Sequence, residues 1–182
     1  MKFTETPLSG AFTVDLEKRE DERGFFARVF CAEEFTKHGM ESRILQVNNS
    51  LSKDVHTLRG LHYQLDPFAE TKLVRCVAGA LLDVIVDVRP DSPTLLQYFS
   101  VKLTADNRRM LFVPRGFAHG IFTLQPDTEI FYMASQRYSP DHERGIRWND
   151  PKIGIEWPDA PVVLSDKDRS YPDFDPAYHF GD

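Results

Sequence analysis

The sequence has only two cysteines, no long apolar run and no excess of basic residues, and each absence excludes a class of protein. Cys31 and Cys76 lie far apart in no metal-binding or redox spacing, so we expect reduced thiols and a cytoplasmic protein. No apolar run approaches the roughly 20 residues that a membrane-spanning helix needs. The N-terminal segment also lacks the apolar core of a signal peptide, so we expect no secretory leader.

The charge balance is acidic, with 28 Asp and Glu against 22 Lys and Arg and a formal net charge of -6. Non-specific nucleic-acid binding requires many basic side chains to neutralise phosphates, so we expect no nucleic-acid partner and no membrane partner. An anionic ligand would have to be bound by a local cluster of positive charge.

Much of the chain consists of short runs of apolar, β-branched and aromatic residues separated by turn residues, and this pattern predicts an all-β fold. A single short helix is predicted over residues 33–38, ending at Gly39. No repeat, low-complexity tract or linker divides the 182 residues, so we expect one domain spanning residues 1–182. Strands at this spacing without intervening helices indicate an antiparallel sandwich or barrel. The predicted strands lie within residues 58–65, 72–79, 80–88, 95–103, 109–124 and 129–135.

Some of these runs are apolar on both faces, as in residues 81–88. Such a strand must be covered on each side by a second sheet or by a partner subunit, and a dimer is therefore a reasonable expectation. The segment after Tyr138 is rich in Pro, Asp and Trp, and we expect it to fold back over the barrel as ordered loops.

A first polar cluster lies in the apolar segment 58–64 and contains Arg59 and His62, with Lys72 and Arg75 opening the next strand. Strict alternation would place Arg59 and His62 on opposite faces, but Gly60 between them permits a bulge that re-aims one of them. The alternative interpretation is a hydrogen-bonded core histidine and a charge at the sheet edge.

A second cluster runs from Pro114 to His119, where a strand ends in Pro-x-Gly and resumes at a histidine. This arrangement matches the later of the two short motifs of cupin barrels. The earlier motif of metal-binding cupins has a second histidine that this chain lacks. His62, His119 and Glu70 remain candidate metal ligands, but a closed zinc or iron site usually needs three or more. We therefore expect no metal and no cofactor, with a metal-dependent cupin oxygenase as an alternative.

A third candidate is Tyr132, which lies in mid-strand on the same predicted face as Ile130 and Ala134. Its hydroxyl must find a partner on that face, although a tyrosine that only packs is an alternative interpretation.

Seven segments, in order and spacing, resemble the dTDP-4-dehydrorhamnose 3,5-epimerase family over nearly the whole chain. These are residues 21–26 (DERGFF), 46–52 (QVNNSLS), 59–64 (RGLHYQ), 72–75 (KLVR), 113–120 (VPRGFAHG), 143–148 (ERGIRW) and 164–168 (LSDKD).

The resemblance implies a double-stranded β-helix, or cupin-type jelly-roll barrel, that forms a homodimer and needs no metal. It implies an isomerase that inverts C3 and C5 of a dTDP-linked 4-keto-6-deoxyhexose, as in biosynthesis of the dTDP-L-rhamnose type. His62 is then the base, hydrogen-bonded to Asp168, and Tyr132 the acid on the opposite face of the sugar. Lys72 would lie near the enolate oxygen. Contacts with the phosphates or sugar would come from Arg23, Gln46, Asn48, Arg59, His119, Glu143 and Lys167, and Tyr138 would stack on thymine.

Three segments depart from the family pattern and concern the choice of substrate. Arg28 stands where a Glu is common, the loop around Val55 and His56 is one residue longer, and residues 67–71 lack the His and Gln frequent there. A single-centre epimerase or a keto-sugar isomerase is therefore an alternative, as is a non-catalytic cupin that binds a sugar nucleotide. Tyr132 favours inversion, because inversion needs an acid on the second face.

Overall fold

Two facing antiparallel sheets make up most of the computed structural model, which describes residues 1–180. The strands of the described part are β1 (Lys2–Glu5), β2 (Phe12–Asp15), β3 (Arg19–Asp21), β4 (Gly24–Phe26), β5 (Gln46–Ser52), β6 (Thr57–Gln64), β7 (Lys72–Ala78), β8 (Ala80–Asp87), β9 (Tyr98–Thr104), β10 (Met110–Val113), β11 (Phe117–Thr123), β12 (Thr128–Ala134), β13 (Glu143–Gly145) and β14 (Val163–Leu164). The helices are α1 (Ala32–Lys37), α2 (Asp166–Ser170) and α3 (Pro176–Phe180), with a 3-10 turn at Pro140–His142.

The first sheet has the order β1-β2-β10-β7-β12-β5, and the second has the order β13-β6-β11-β8-β9. The short strand β14 adds to β6 in parallel, and β3 and β4 form a separate hairpin. This arrangement confirms the expected jelly-roll barrel. Each strand run predicted from the sequence contains a strand, and the predicted helix is α1, followed by Gly39 at φ 73°.

The core between the sheets is built from the inward residues of both. Val74, Leu111 and Ile130 of the first sheet meet Leu81 and Ile85 of the second, and all are buried. Because each fully buried aliphatic side chain stabilises the fold by roughly 1.5 to 3 kcal/mol, this layer holds the two sheets together.

The outer face of the second sheet is covered by the chain itself. Val84 and Val86 of β8 pack in one cluster with Ile146, Ile153 and Phe174 from the segment that follows β12. The expectation that this segment folds back over the barrel is confirmed. The two apolar faces of β8 are therefore no evidence for a partner subunit, which corrects that part of the sequence argument.

An apolar patch stays exposed on the outer face of the first sheet, near its β5 edge. Direct pairing places Phe131 of β12 opposite Asn49 of β5 and Arg75 of β7, and alternation brings Val47, Leu51 and Val77 to the same face. Between 36% and 51% of the surface of Val47, Leu51, Val77 and Phe131 is exposed. No helix among residues 1–180 is long and apolar enough to cross a bilayer.

Candidate active site

A cavity of about 460 Å³ opens between the two sheets and collects most of the polar residues singled out above. Arg59 and His62 of β6 and His119 of β11 line it from the second sheet, and Lys72 and Tyr132 line it from the first. The cavity also touches α2, through Lys167 and Asp168.

The sequence predicted that Gly60 would let Arg59 and His62 share a face, and the strand register confirms this. His62 pairs with His119 and Arg59 with Ile121, so three residue steps on β6 match two on β11. The extra residue on β6 is accommodated at Gly60, whose φ is 121°. A Cβ at this position would lie 2.6 Å from the Cα atom of Gly120, so the close approach of the two strands also requires glycine.

His62 is oriented by Asp168, since its Nε2 atom lies 2.5 Å from Oδ1 of that carboxylate. Asp168 is buried at the start of α2, where its backbone N–H donates to the Ser165 side chain at 3.0 Å. Burial is the largest influence and works against the ionised carboxyl. The hydrogen bond and charge of His62, with hydrogen bonds from Ser165 and the Gly60 backbone, together outweigh it and lower the pKa of Asp168. An ionised carboxylate only accepts, so Nε2 carries the proton and Nδ1 of a neutral His62 is left as the basic atom.

His119 has a carboxylate partner of its own, which the sequence analysis missed. Its Nε2 atom lies 2.8 Å from Oδ1 of Asp83, a fully buried residue of β8. The second carboxylate oxygen of Asp83 is also buried and has no hydrogen-bond partner within residues 1–180. The available signal was a single acid in the otherwise apolar run 80–86, since such a group needs a partner.

Direct pairing with β12 brings residues of β5 to the cavity side of the first sheet. Asn48 lies opposite Tyr132, and Gln46 lies opposite Ala134. Lys72 opens β7 opposite Ala134, and its Nζ atom lies 3.0 Å from the carboxylate of Glu70.

A smaller cavity of about 160 Å³ adjoins the first, and His62, Lys72 and Tyr132 line both. Its remaining wall includes four further residues expected from the sequence: Gln46, Asn48, Tyr138 and Glu143. The Tyr138 hydroxyl donates to Glu143 at 2.7 Å, and the Lys167 ammonium also pairs with that carboxylate. Burial is the largest influence and opposes ionisation of Glu143, but the hydrogen bonds from Lys167 and Tyr138 and the nearby positive charge together outweigh it and lower the pKa of Glu143. Expected site residues from α2, β5, β6, β7 and β11–β13 thus lie around one divided cleft.

Arg23 is the exception among the expected site residues. It lies on the β3–β4 hairpin, pairs with Asp21 at 2.6 Å and lines neither cavity. Arg28 also lies outside both cavities and pairs with Glu34 at 2.7 Å. His56 has a φ of 59°, and its ring stacks on Phe122.

The candidate metal ligands are each engaged with other side chains. His62 and His119 pair with carboxylates, and Glu70 pairs with Lys72. Within residues 1–180, no three His, Cys, Asp or Glu side chains converge as a metal site. The thiol of Cys76 is buried, which raises its pKa to about 11 and makes it a poor nucleophile or metal ligand.

Comparison with known proteins gives one consistent result. Residues 5–176 match the family model described as dTDP-4-dehydrorhamnose 3,5-epimerase. A protein of that name from Sinorhizobium fredii is 46% identical over 173 residues, which cover 94% of this chain and 89% of that protein.

Two solved structures share the fold over nearly their full length. The dTDP-4-dehydrorhamnose 3,5-epimerase of Bacillus anthracis, with TDP and PPi bound, has a TM-score of 0.91 and 43% identity, covering 95% of this chain and 99% of that one. A 3'-monoepimerase from Streptomyces bikiniensis, in complex with dTDP-quinovose, has a TM-score of 0.88 and 32% identity, covering 97% of this chain and 89% of that one.

Proposed function

The chain belongs to the dTDP-4-dehydrorhamnose 3,5-epimerase family, and on this basis we propose that the cleft between its sheets inverts C3 and C5 of a dTDP-linked 4-keto-6-deoxyhexose. The enzyme is an isomerase of the type that acts in dTDP-L-rhamnose biosynthesis. One observation carries the proposal: His62 and Tyr132 line the same cavity from opposite sheets, and His62 is paired with a buried carboxylate.

The first step is proton abstraction by His62. The ketone at C4 acidifies the hydrogens on C3 and C5, so a base can take either one and leave an enolate. The ionised carboxylate of Asp168 fixes the imidazole tautomer and stabilises the imidazolium that forms. The proton goes to Nδ1, and the electron pair of the broken C–H bond passes into the enolate.

The enolate is stabilised by Lys72 and is reprotonated from the other face by Tyr132. The Lys72 ammonium supplies positive charge where the enolate oxygen forms. Donation by Tyr132 to the carbon inverts the centre, and proton exchange with water resets both residues. The same two residues then act on the second carbon, and the scheme requires no metal or cofactor.

The anionic part of the substrate is bound by local positive charge, although the chain is acidic overall. Arg59, His119 and Lys167 line the large cavity and would contact the diphosphate or the sugar. In the smaller cavity, Gln46, Asn48 and Glu143 would provide further polar contacts. Tyr138 is 55% exposed there, so its ring is free to stack on thymine.

The protein is further proposed to act as a homodimer. The exposed patch of Val47, Leu51, Val77 and Phe131 is the kind of surface that a second copy covers. Arg23 projects from a hairpin that also exposes Phe25 and Phe26, and it lines neither cavity of its own chain. It would therefore contact the substrate bound to the other copy.

Mixed dimers test this arrangement directly. Copies carrying Arg23→Ala and copies carrying His62→Asn are co-expressed with different tags, and the heterodimer is assayed at low substrate concentration. One of its two sites has both residues intact if Arg23 acts across the dimer, so half of the wild-type activity is expected. If Arg23 acts within its own chain, no site in the mixed dimer is intact and activity stays below that level.

A cytoplasmic location and a single domain of residues 1–182 complete the proposal. The location is supported by two cysteines that both remain free thiols.

A single-centre epimerase is the second candidate, because a 3'-monoepimerase has the same fold. An NMR time course in D2O with the dTDP-linked 4-keto sugar separates the two functions. Deuterium is expected at both C3 and C5, with one position exchanging faster. Incorporation at only one carbon after prolonged incubation would establish the single-centre function instead.

A further inference from the structure

Glu70 and Lys72 form an ion pair inside the cleft. The Nζ atom of Lys72 lies 3.0 Å from Oε1 of Glu70, and the two side chains are only 14% and 11% exposed. Both residues line the smaller cavity, together with His62 and Tyr132. The proposed reaction assigns a role to Lys72 but none to Glu70.

Glu70 is itself held in place by a buried glutamine. Nε2 of Gln64 donates to Oε2 of Glu70 and also to the carbonyl oxygen of Phe68 at 2.9 Å. Oε1 of Gln64 accepts from the backbone N–H of Ser139 at 2.5 Å, which fixes the orientation of the amide. The carboxylate therefore lies between two donors, Gln64 on one oxygen and Lys72 on the other.

This geometry requires a carboxylate. A glutamine at position 70 has one acceptor oxygen, so only one of the two donors would find a partner and the other would face an NH2 group. An alanine would remove the acceptor of both donors: Gln64 would keep its backbone carbonyl partners, whereas the Lys72 ammonium would lose its carboxylate.

We propose that Glu70 is a positioning residue that holds the Lys72 ammonium against the cleft, where the enolate oxygen develops. A lysine has a flexible four-carbon stem and a rotatable ammonium, so a free Lys72 would sample many positions. Charge stabilisation of a transition state depends on a donor that is already in place, and small misplacements are costly. This inference rests on the proposed role of Lys72.

A double-mutant cycle tests the inference through kcat and KM of the full-length protein. Glu70→Ala is expected to lower kcat about 10-fold and to change KM less than about 3-fold, because orientation matters most in the transition state. Glu70→Gln is expected to fall between Glu70→Ala and the wild type. In a Lys72→Met background, Glu70→Ala is expected to change kcat less than about 2-fold, because there is no ammonium left to position.

Three results would overturn the inference. An equal loss in both backgrounds would mean that Glu70 acts on the fold or the cavity and not through Lys72. A reduced kcat for Lys72→Met with a normal kcat for Glu70→Ala would mean that Lys72 takes part in the reaction but that Glu70 does not position it. A normal kcat for Lys72→Met would remove the role of Lys72 from the proposed function and the role of Glu70 with it.

A control variant and a spectroscopic measurement complete the test. Glu41→Ala removes another acid, one that pairs with Arg115 at 3.2 Å outside both cavities, and is expected to keep wild-type kinetics. In protein labelled with 15N-lysine, an ammonium signal that disappears in Lys72→Met identifies Lys72. That signal is expected to broaden or vanish in Glu70→Ala, and a signal unchanged in position and width would contradict the proposal.

Discussion

His62 lies directly opposite His119 where β6 pairs with β11, and each imidazole is hydrogen-bonded to a different buried carboxylate. Asp168 reaches His62 from a helix in the covering segment, whereas Asp83 reaches His119 from the neighbouring strand. Two similar histidine–carboxylate pairs therefore face one cavity, and their proposed roles, base and substrate contact, predict different effects of mutation.

His62→Asn is expected to lower kcat by a factor of about 10² to 10⁴, because a positioned base contributes about that much. The affinity for dTDP, measured by calorimetry, should stay within a few-fold of the wild type. The matched variant His119→Asn should mainly raise KM. A His62→Asn enzyme with more than about a tenth of wild-type kcat would rule out His62 as the base.

Tyr132→Phe separates proton exchange from inversion. The base and Lys72 remain, so the faster of the two carbons should still take up deuterium from D2O, while net inversion is lost. NMR of the substrate during incubation reports both quantities. Normal inversion by the mutant would make Tyr132 a packing residue of the core cluster that it touches.

Arg59→Ala is expected to raise KM, by a factor that shrinks as salt is added, because its proposed partner is an exposed diphosphate. Lys37→Ala, which removes a positive charge from α1, is the control and should leave KM unchanged. Steady-state kinetics between low and high ionic strength provide the comparison. An Arg59→Ala penalty that is zero, or independent of salt, would move the phosphate contacts elsewhere.

The protein is expected to lose stability in mild acid because of one buried histidine, His179. Its ring is buried between Phe174 and Tyr63, and burial lowers its pKa to about 4. In the unfolded chain the histidine has its ordinary pKa of 6.5 and takes up a proton below it, whereas the folded chain does not. The contribution of His179 to stability is therefore fully present above pH 6.5 and is lost as the pH drops towards 4. The full loss is roughly 3 kcal/mol.

Urea unfolding at pH 7 and pH 4.5 tests this with a matched pair of variants. His179→Gln should have a smaller difference in unfolding free energy between the two pH values than the wild type. His38→Gln, at an exposed position, should keep the wild-type difference. Equal pH dependence in all three proteins would show that His179 does not resist protonation.

The strands and the shared face of Arg59 and His62 could be predicted because they depend on local signals. Apolar runs bounded by turn residues define strands, and a glycine inside a strand indicates a bulge. The pairing of Asp83 with His119 could not be predicted, because a strand sequence does not say which neighbouring strand its acid will face.

The sequence also does not specify what buries the outer face of the second sheet. Leu81 and Val84 indicate that both faces of β8 are buried, but apolarity does not distinguish a cover from the same chain from a cover by a second copy. The same limit applies to Arg23, because a sequence motif predicts a contact with the substrate but does not specify whether that substrate is bound to the same copy or to the other copy. Both questions depend on long-range assembly.

The pairing of His62 with Asp168 joins residues that are 106 positions apart. During synthesis on the ribosome, the imidazole emerges long before its carboxylate, and β7 to β12 are made in between. A nascent or truncated chain that ends before residue 165 would contain the strands of both main sheets but no carboxylate partner for His62, the proposed base. Activity therefore reports that the covering segment has docked, and an activity assay should recover later than spectroscopic signals of the sheets during refolding.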